Sequence, residues 1–260
     1  MILLVKELCV FYQAGGKSRP AVWKADFKVN EGEIVTLVGE SGSGKSSAAM
    51  AVGRLTDFLP CKVSGQIFFE DKPILAMNDE EIRAVRRHGI GYVFQEPSAS
   101  LNPVFRVGDQ IAEAMDDPDR PPIIELLKSV RLDDVERVAR SYPHELSGGM
   151  KQRVMIAMAL AKNPRLLIAD EPTTALDVTV QREILRLLLD LRREKGLSIL
   201  FITHDLGVAM AVSDRIIVMK DGQIVEEIAD PRDLRVRHPY TAKLLACAKP
   251  AIEPKMYFEV

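Results

Sequence analysis

An eight-residue stretch, residues 39–46, contains the residue types needed to bind phosphate groups. It reads GESGSGKS and matches the pattern G-x-x-x-x-G-K-[ST]. Glycines allow successive backbone N–H groups to face an anion, Lys45 is expected to reach the β and γ oxygens of a nucleotide, and the Ser46 hydroxyl is expected to bind Mg²⁺. The sequence therefore predicts a nucleotide-phosphate site made of Gly39, Glu40, Ser41, Gly42, Ser43, Gly44, Lys45, Ser46 and Ser47.

Polar side chains follow three further strand-like segments. RLLIADEP is an apolar strand that ends in Asp170 and Glu171, LFITHD ends in His204, and YVFQEP places Gln95 after a short strand. Asp170 is predicted to support the Mg²⁺ shell, and Glu171 to orient or deprotonate an attacking water. His204 is predicted to hydrogen-bond the γ-phosphate and hold the water. Gln95 is predicted to reach both Mg²⁺ and water from a movable loop.

Two other features are candidates for contact with a nucleotide. Residues 141–153 read SYPHELSGGMKQR, in which Ser147, Gly148 and Gly149 begin a helix. A helix start of this kind binds anions, because free N–H groups and the positive end of the helix dipole meet there. It is the second predicted anion site in this chain. Tyr12, or its neighbour Phe11, is predicted to stack on an adenine ring.

The elements that must position these residues alternate between strands and helices. Residues 34–55 read as a strand, a glycine-rich loop and a helix. A helix from Met150, the strand RLLIAD, the amphipathic helix VTVQREILRLLLDLRREKG and the strand SILFIT follow. This alternation predicts a parallel sheet covered by helices. The first 35 residues and the segment RIIVMKDGQIVEE predict antiparallel hairpins.

Residues 95–143 differ from the rest of the chain. Short helical pieces, VGDQIAEAM, IIELLKSV and LDDVERVAR, are separated by Pro-rich breaks such as DDPDRPP. We therefore predict one nucleotide-binding domain over 1–260 with three parts. These are a core with an antiparallel β subdomain (1–94 and 144–228), a helical subdomain (95–143) and a short C-terminal helical tail (229–260).

The amino-acid composition restricts the kinds of partner that this protein is expected to bind. The 260 residues include 35 Lys and Arg against 37 Asp and Glu, a net charge of -2, so no general attraction to nucleic acid is expected. The three cysteines lack any metal-binding or disulfide spacing. The longest apolar run, residues 154–161, is far shorter than the ~20 residues of a membrane span. If the protein works at a membrane, other chains must supply the spans.

Taken together, GESGSGKS, Gln95, LSGGM, IADEP, TALD and His204 resemble the ATP-binding-cassette (ABC) ATPases in order and approximate spacing, over nearly the whole chain. The resemblance implies an α/β P-loop NTPase core with a mainly parallel sheet, an N-terminal antiparallel β subdomain and an inserted α-helical subdomain. It also implies hydrolysis of ATP with Mg²⁺.

The same resemblance implies a role for the second anion site. Two units of this family pack head to tail, so that Ser147, Gly148 and Gly149 bind the ATP held by the partner unit, and the Asp177 loop crosses the interface. Met150 stands where the commonest form of the family has Gln. Because the Ser hydroxyl and backbone N–H groups bind the anion, this difference is not expected to abolish hydrolysis.

Four segments, LSGGM, EPSASLNPVFRVGDQI, DEPTTALDVTVQ and RHPYTAKLL, resemble the subgroup that serves peptide and nickel importers. The implied protein is a peripheral ATPase subunit on the cytoplasmic face of the inner membrane. Its implied partners are two integral-membrane permease subunits, a second ABC ATPase subunit, identical or similar, and indirectly an extracytoplasmic solute-binding protein. Longer members carry a cysteine-bearing C-terminal extension, which this sequence ends too early to include. That favours the compact nickel and metallophore importers and argues against an iron–sulfur cluster.

Some proteins with the same motifs have functions other than transport. A soluble ABC ATPase component of a multi-enzyme assembly, such as carbon–phosphorus lyase machinery, belongs to the same subgroup. DNA-repair relatives usually carry zinc sites or long coiled coils, and translation relatives carry two cassettes in one chain, neither of which is seen here. ATP binding without turnover would require loss of Glu171 or His204, and both are present.

Overall fold

Ten strands form two β-sheets in the computed structural model, which describes residues 1–15, 17–115, 122–232 and 235–248. In chain order the strands are β1 (Leu3–Ala14), β2 (Lys17–Val29), β3 (Ile34–Val38), β4 (Cys61–Phe69), β5 (Lys72–Pro73), β6 (Ile90–Val93), β7 (Leu166–Asp170), β8 (Ser198–Thr203), β9 (Arg215–Lys220) and β10 (Gln223–Ile228).

The larger sheet has the strand order β10-β9-β3-β8-β7-β6 and is parallel except for the β9–β10 hairpin. Every residue of β3, β7 and β8 is buried. This burial explains their continuous apolar runs, since a parallel sheet is covered on both faces. Residues that follow the parallel strands emerge at one edge of the sheet. The predicted parallel sheet is confirmed.

Ten helices accompany the strands in the described residues. They are α1 (Lys45–Val52), α2 (Asp79–His88), α3 (Pro97–Ser100), α4 (Val107–Ala114), α5 (Ile123–Ser129), α6 (Val135–Arg140), α7 (Gly148–Leu160), α8 (Val178–Lys195), α9 (Leu206–Val212) and α10 (Pro239–Ala248). None of the helices in this part of the chain is long and apolar enough to cross a membrane.

Local signals set the ends of the long helices. Ser147 caps α7 by accepting a hydrogen bond from the N–H of Met150, and Asp177 caps α8 by accepting from two N–H groups. Gly196 ends α8 in the left-handed region at φ +63°, where glycine has no steric penalty. The helix predicted from Met150 thus begins two residues earlier, and the helix predicted over residues 45–55 ends at Val52.

The antiparallel sheet has the order β2-β1-β4-β5. The predicted N-terminal hairpin is confirmed as the pair β1–β2. Strands β4 and β5 extend this sheet and were not predicted, because Ser64 and Gly65 interrupt the β4 pattern in the manner of a turn. Gly65, at φ +107°, packs against the backbone of Glu7 where the β1–β4 register shifts.

Helices α3 to α6 occupy residues 97–140, between β6 and α7, as the sequence predicts. Buried residues of this segment, among them Leu101, Val107, Ile111 and Leu127, share one apolar cluster with Val154 of α7. The exact division of the chain into core, helical part and tail stays a prediction. The Pro-rich break at 116–122 lies outside the described residues except for Pro122, and so do residues 249–260 of the predicted tail.

Candidate active site

Lys45 lies inside the loop that joins β3 to α1. Its ammonium donates to the carbonyl oxygens of Gly39 and Glu40, each at 2.8 Å, and to Ser43 Oγ at 3.2 Å. The side chain is only 4% exposed, and burial lowers the pKa of Lys45, while the carboxylates of Glu171 and Asp170 act in the opposite direction. A buried cation held mainly by neutral oxygens gains from an anionic ligand, so phosphate oxygens are suitable replacement partners.

The backbone of β2 lies directly against this loop. Gly44 has φ +100°, and a Cβ added there would collide with the carbonyl oxygen of Ala21. Glycine is therefore required by both conformation and space. Ala21, which was not predicted as a site residue, also lines the cavity around Lys45. Only the folded structure brings this strand to the loop.

Asp170 organises the hydroxyl groups beside the loop. Its Oδ1 accepts from Ser46 Oγ at 2.9 Å and its Oδ2 accepts from the Tyr92 hydroxyl at 3.1 Å. Burial raises the pKa of Asp170 despite these two bonds, because both partners are neutral. Tyr92 was not assigned a role from the sequence, although it stands three residues before Gln95.

Three donors converge on one oxygen of Glu171. Its Oε2 accepts hydrogen bonds from Thr174 Oγ1 at 2.8 Å, from Gln95 Nε2 at 3.1 Å and from His204 Nδ1 at 3.1 Å. Glu171 also has φ +45°, a left-handed conformation that costs a non-glycine residue about 1–2 kcal/mol. The bend after β7 and the three donors together hold the carboxylate in one orientation.

Thr174 is the donor that the sequence reading left without a role. We expect Thr174→Val to lower kcat for ATP hydrolysis roughly three- to tenfold with little change in KM, since one hydrogen bond to the carboxylate is lost. Thr174→Ser is the matched control, because it keeps the hydroxyl and should retain wild-type kcat. Steady-state ATPase assays decide; a valine variant with wild-type kcat would mean that Thr174 does not position Glu171.

Most of the predicted site residues line one cavity of about 690 Å³. Gly39 and Ser43 lie in the loop wall and bond Lys45, and Asp170 lies behind Ser46. Tyr12 is not in the cavity lining; its hydroxyl lies 3.2 Å from Ser47 Oγ, so stacking on adenine stays a prediction. The lining residues are Ala21, Glu40, Ser41, Gly42, Gly44, Lys45, Ser46, Ser47, Gln95, Glu171, Thr174 and His204.

The second anion site is separate from this cavity. Ser147, Gly148, Gly149 and Asp177 do not belong to the described residues that line it. They form a second group, because the start of α7 packs against the segment before and at the start of α8. A Cβ at Gly148 would lie 3.6 Å from Leu176, and one at Gly149 would press on Val180. One chain thus carries two groups of predicted phosphate-binding residues, and the second group does not line the cavity around Lys45.

Comparison with known proteins assigns this arrangement to a family. Residues 22–174 match the family described as "ABC transporter", and this span holds the phosphate loop, Gln95, Ser147 and Glu171. The chain belongs to the ABC transporter ATPase family. Residues 22–174 make up more than half of the chain. The match begins within β2, the strand that lies against the phosphate loop.

Curated relatives of this ABC ATPase carry transport names. The peptidoglycan transport ATP-binding protein YejF of Agrobacterium fabrum is 46% identical over 97% of the chain, which spans 48% of YejF. The oligopeptide transport ATP-binding proteins OppD and AppD of Bacillus subtilis are 45% and 44% identical, over 97% and 94% of the chain and 73% and 77% of their own lengths. The predicted resemblance to the peptide-importer subgroup is confirmed by these relatives.

Solved structures of ABC cassettes have the same fold. The dimeric bacterial ABC transporter cassette MJ0796 superposes with a TM-score of 0.77 at 32% identity, over 87% of this chain and 98% of that one. The MJ0796 dimer in a post-hydrolysis state with ADP and Pi scores 0.76. Cassette cbiO1 of Clostridium perfringens scores 0.75 at 27% identity, over 98% and 97% of the two chains. The predicted fold and the predicted activity class, ATP hydrolysis, are confirmed.

Proposed function

We propose that this ABC ATPase powers the import of a small solute, peptides in the first place, through a separate membrane permease. The observation that carries the hydrolytic part is the convergence of Gln95, Thr174 and His204 on one oxygen of Glu171, in the same cavity as Lys45. Peptide transport is supported by the names of OppD and AppD. Nickel and metallophore-type solutes stay predictions.

In the proposed mechanism Glu171 is the general base. The three donors occupy Oε2, which leaves Oε1 to accept a proton from the attacking water. His204 donates from Nδ1 to Glu171, so its Nε2 is the nitrogen that faces the γ-phosphate, to which it donates when the ring is protonated on both nitrogens. Lys45 exchanges the loop carbonyls for β and γ oxygens of ATP and neutralises charge there. Tyr12, or Phe11 beside it, is proposed to contact the adenine.

The residues beside the phosphate loop fit a Mg²⁺ ion. The Ser46 hydroxyl gives its hydrogen to Asp170, and Gln95 uses its NH₂ group toward Glu171. A hydroxyl oxygen and an amide oxygen are thereby left for a hard cation, which prefers oxygen ligands. The buried Asp170 carboxylate, whose hydrogen-bond partners are neutral, gains a counter-charge. When bound, Mg²⁺ neutralises developing charge on the phosphates.

The working unit is proposed to be a dimer of two cassettes. A single chain carries Ser147, Gly148, Gly149 and Asp177 away from its own Lys45 cavity, so these groups need a second ABC ATPase subunit to meet ATP. The second subunit is another copy of this chain or a similar chain. MJ0796 is a dimer in its solved structures. Ser147 and the N–H groups at the start of α7 then bind the partner's γ-phosphate.

An apolar groove beside Gln95 is proposed as the contact with the permease. Phe94, which precedes Gln95, is 42% exposed and lies in this groove of about 340 Å³ with Leu55, Leu101 and Met155. A cytoplasmic helix of the permease is the proposed occupant. Because Gln95 contacts Glu171 and leads into helices α3 to α6, movement of this region would couple nucleotide state to the groove.

The remaining partners follow from this assembly. Two permease subunits and two cassettes form the proposed complex, with an extracytoplasmic solute-binding protein in indirect contact. The chain would then be peripheral on the cytoplasmic face of the cell membrane. Nucleic acid is not a proposed partner.

Affinity purification of the tagged full chain from detergent-solubilised cells of its own organism tests the transport role. We expect two polytopic permease chains and a cassette to co-purify in stoichiometric amounts, identified by mass spectrometry. A strain without the permease genes is the control. Recovery with soluble enzymes only would overturn the transport proposal in favour of a soluble assembly, and would leave the ATPase assignment intact.

A further inference from the structure

The C-terminal part of the chain reaches the phosphate loop through one tyrosine. Tyr240, at the start of α10, is 7% exposed, and its hydroxyl accepts a hydrogen bond from the backbone N–H of Glu40 at 2.9 Å. The carbonyl oxygen of the same residue, Glu40, accepts from Lys45 Nζ at 2.8 Å and from the N–H of Ser43 at 3.2 Å. Tyr240 therefore holds Glu40 through its backbone N–H, and the carbonyl oxygen of Glu40 binds Lys45.

The position of Tyr240 is itself fixed by several contacts. The ammonium of Lys220 lies 5.3 Å from the centre of the tyrosine ring, and the N–H of Tyr240 donates to His238 Nδ1 at 3.2 Å. Glu226 of β10 accepts from the N–H groups of Arg237 and His238. These bonds attach the segment before α10 to the edge of the large sheet. Tyr240 is thus a rigid support rather than a side chain that rotates freely.

The turn between β9 and β10, which precedes Tyr240 in the chain, also contacts the phosphate loop. The N–H of Gly222 donates to the carbonyl oxygen of Ser43 at 3.1 Å. A Cβ at Gly39 would collide with the carbonyl oxygen of Met219, so loop and β9 are in close backbone contact. Met219, Gly222 and Tyr240 therefore support the loop at Gly39, Ser43 and Glu40 respectively.

This support matters most when the lysine changes partners. In the present arrangement Lys45 cross-links the loop through Gly39, Glu40 and Ser43. Phosphate binding withdraws the ammonium from these oxygens, so the loop loses three internal bonds at the moment when its N–H groups must stay aligned. The bonds from Tyr240 and Gly222 do not involve Lys45 and remain. A loop held in this way needs less ordering on binding.

We propose that Tyr240 is a positioning residue for the phosphate loop, and that through it the segment 237–248 sets the affinity of the cassette for nucleotide. The inference rests on the proposed function, since it assumes that the loop binds ATP. Tyr240 acts through the backbone of Glu40 and does not itself touch the nucleotide. The described part of the predicted helical tail thereby supports the nucleotide site through Tyr240.

Tyr240→Phe tests this, because it removes the hydroxyl and keeps the ring. With the full chain, we expect Kd and KM for MgATP to rise roughly three- to tenfold while kcat stays within about twofold of wild type. Hydrogen exchange at the Glu40 amide should accelerate, because its acceptor is gone. Calorimetric titration with ATP, steady-state assays and exchange mass spectrometry measure these effects.

Two reference variants separate the possible outcomes. Lys243→Ala changes an exposed side chain on α10 and should keep wild-type Kd. Lys45→Ala should lose most ATP affinity; if it binds as wild type does, the proposed nucleotide site is wrong. If Lys45→Ala fails to bind but Tyr240→Phe keeps wild-type Kd and wild-type Glu40 exchange, only the present inference is overturned. Thermal unfolding without nucleotide checks that each variant is folded.

Discussion

Replacing Glu171 with Gln is expected to lower ATP turnover by about 10²–10⁴-fold while ATP binding is retained. A glutamine amide cannot accept the proton of the attacking water. It has nearly the shape of glutamate, and its carbonyl oxygen can accept the hydrogen bonds from Gln95, Thr174 and His204 that Oε2 accepts now. The closed dimer should therefore form with MgATP and persist.

Three measurements on Glu171→Gln establish where the effect lies. Steady-state assays give turnover, calorimetric titration gives ATP affinity, and light scattering after size exclusion gives the mass with MgATP or with EDTA. Glu96→Gln is the control, because it removes an exposed carboxylate close in sequence to Gln95. Wild-type turnover in Glu171→Gln would exclude Glu171 as the base. Loss of ATP binding together with turnover would mean that it acts in binding instead.

The second large effect is expected from Ser147→Arg, which should lower turnover at least about 100-fold without weakening ATP binding by the monomer. Ser147 is exposed at the start of α7 and outside the cavity around Lys45. An arginine there covers the N–H groups that would bind the partner's γ-phosphate, so the dimer cannot close. Sedimentation velocity with MgATP is expected to show monomer only.

Ser147→Ala separates the loss of the helix cap from the steric block. It removes the bond that Ser147 Oγ accepts from the N–H of Met150, worth about 1 kcal/mol, without adding bulk. Dimer closure should be weakened by alanine and abolished by arginine. If Ser147→Arg instead prevents the monomer from binding ATP, Ser147 belongs to the chain's own site and the proposed arrangement is wrong.

Mixing two inactive chains tests the head-to-tail arrangement itself. In a mixed dimer of Ser147→Arg and Lys45→Ala, one of the two sites combines an intact loop with an intact helix start. Since neither variant is expected to close with itself, closed dimers in an equal mixture are mixed ones with one competent site of two, so turnover should return to at most about half of wild type. No recovery despite mixed dimers would contradict shared sites.

The sequence was informative wherever function depends on consecutive residues. The phosphate loop was predictable because its glycines, Lys45 and Ser46 lie within eight positions, and their spacing dictates where the N–H groups point. Glu171 and His204 were predictable because a buried parallel strand places the residue after it at the ligand edge of the sheet. Ser147 was predicted at a helix start for the same local reason, and it caps α7 in the structure.

Signals that conflict locally were missed. Strand β4 contains Ser64 and Gly65, which read as a turn, and only pairing with β1 and β5 makes the segment a strand. Thr174 was read as part of a motif without a partner. Its bond to Glu171 depends on the left-handed backbone conformation of Glu171, at φ +45°. A glutamate in a sequence does not predict that conformation.

The amino-acid sequence by itself determined the phosphate-loop motif, the acidic strand end and the helix start at α7, because each follows from the geometry of a few consecutive residues. Tertiary structure alone decided which groups support them. Tyr92 meets Asp170 across 78 positions and Tyr240 meets Glu40 across 200. Such contacts depend on how the sheet and the last helix pack, and packing energy is spread over many apolar residues without a local pattern that names the partner.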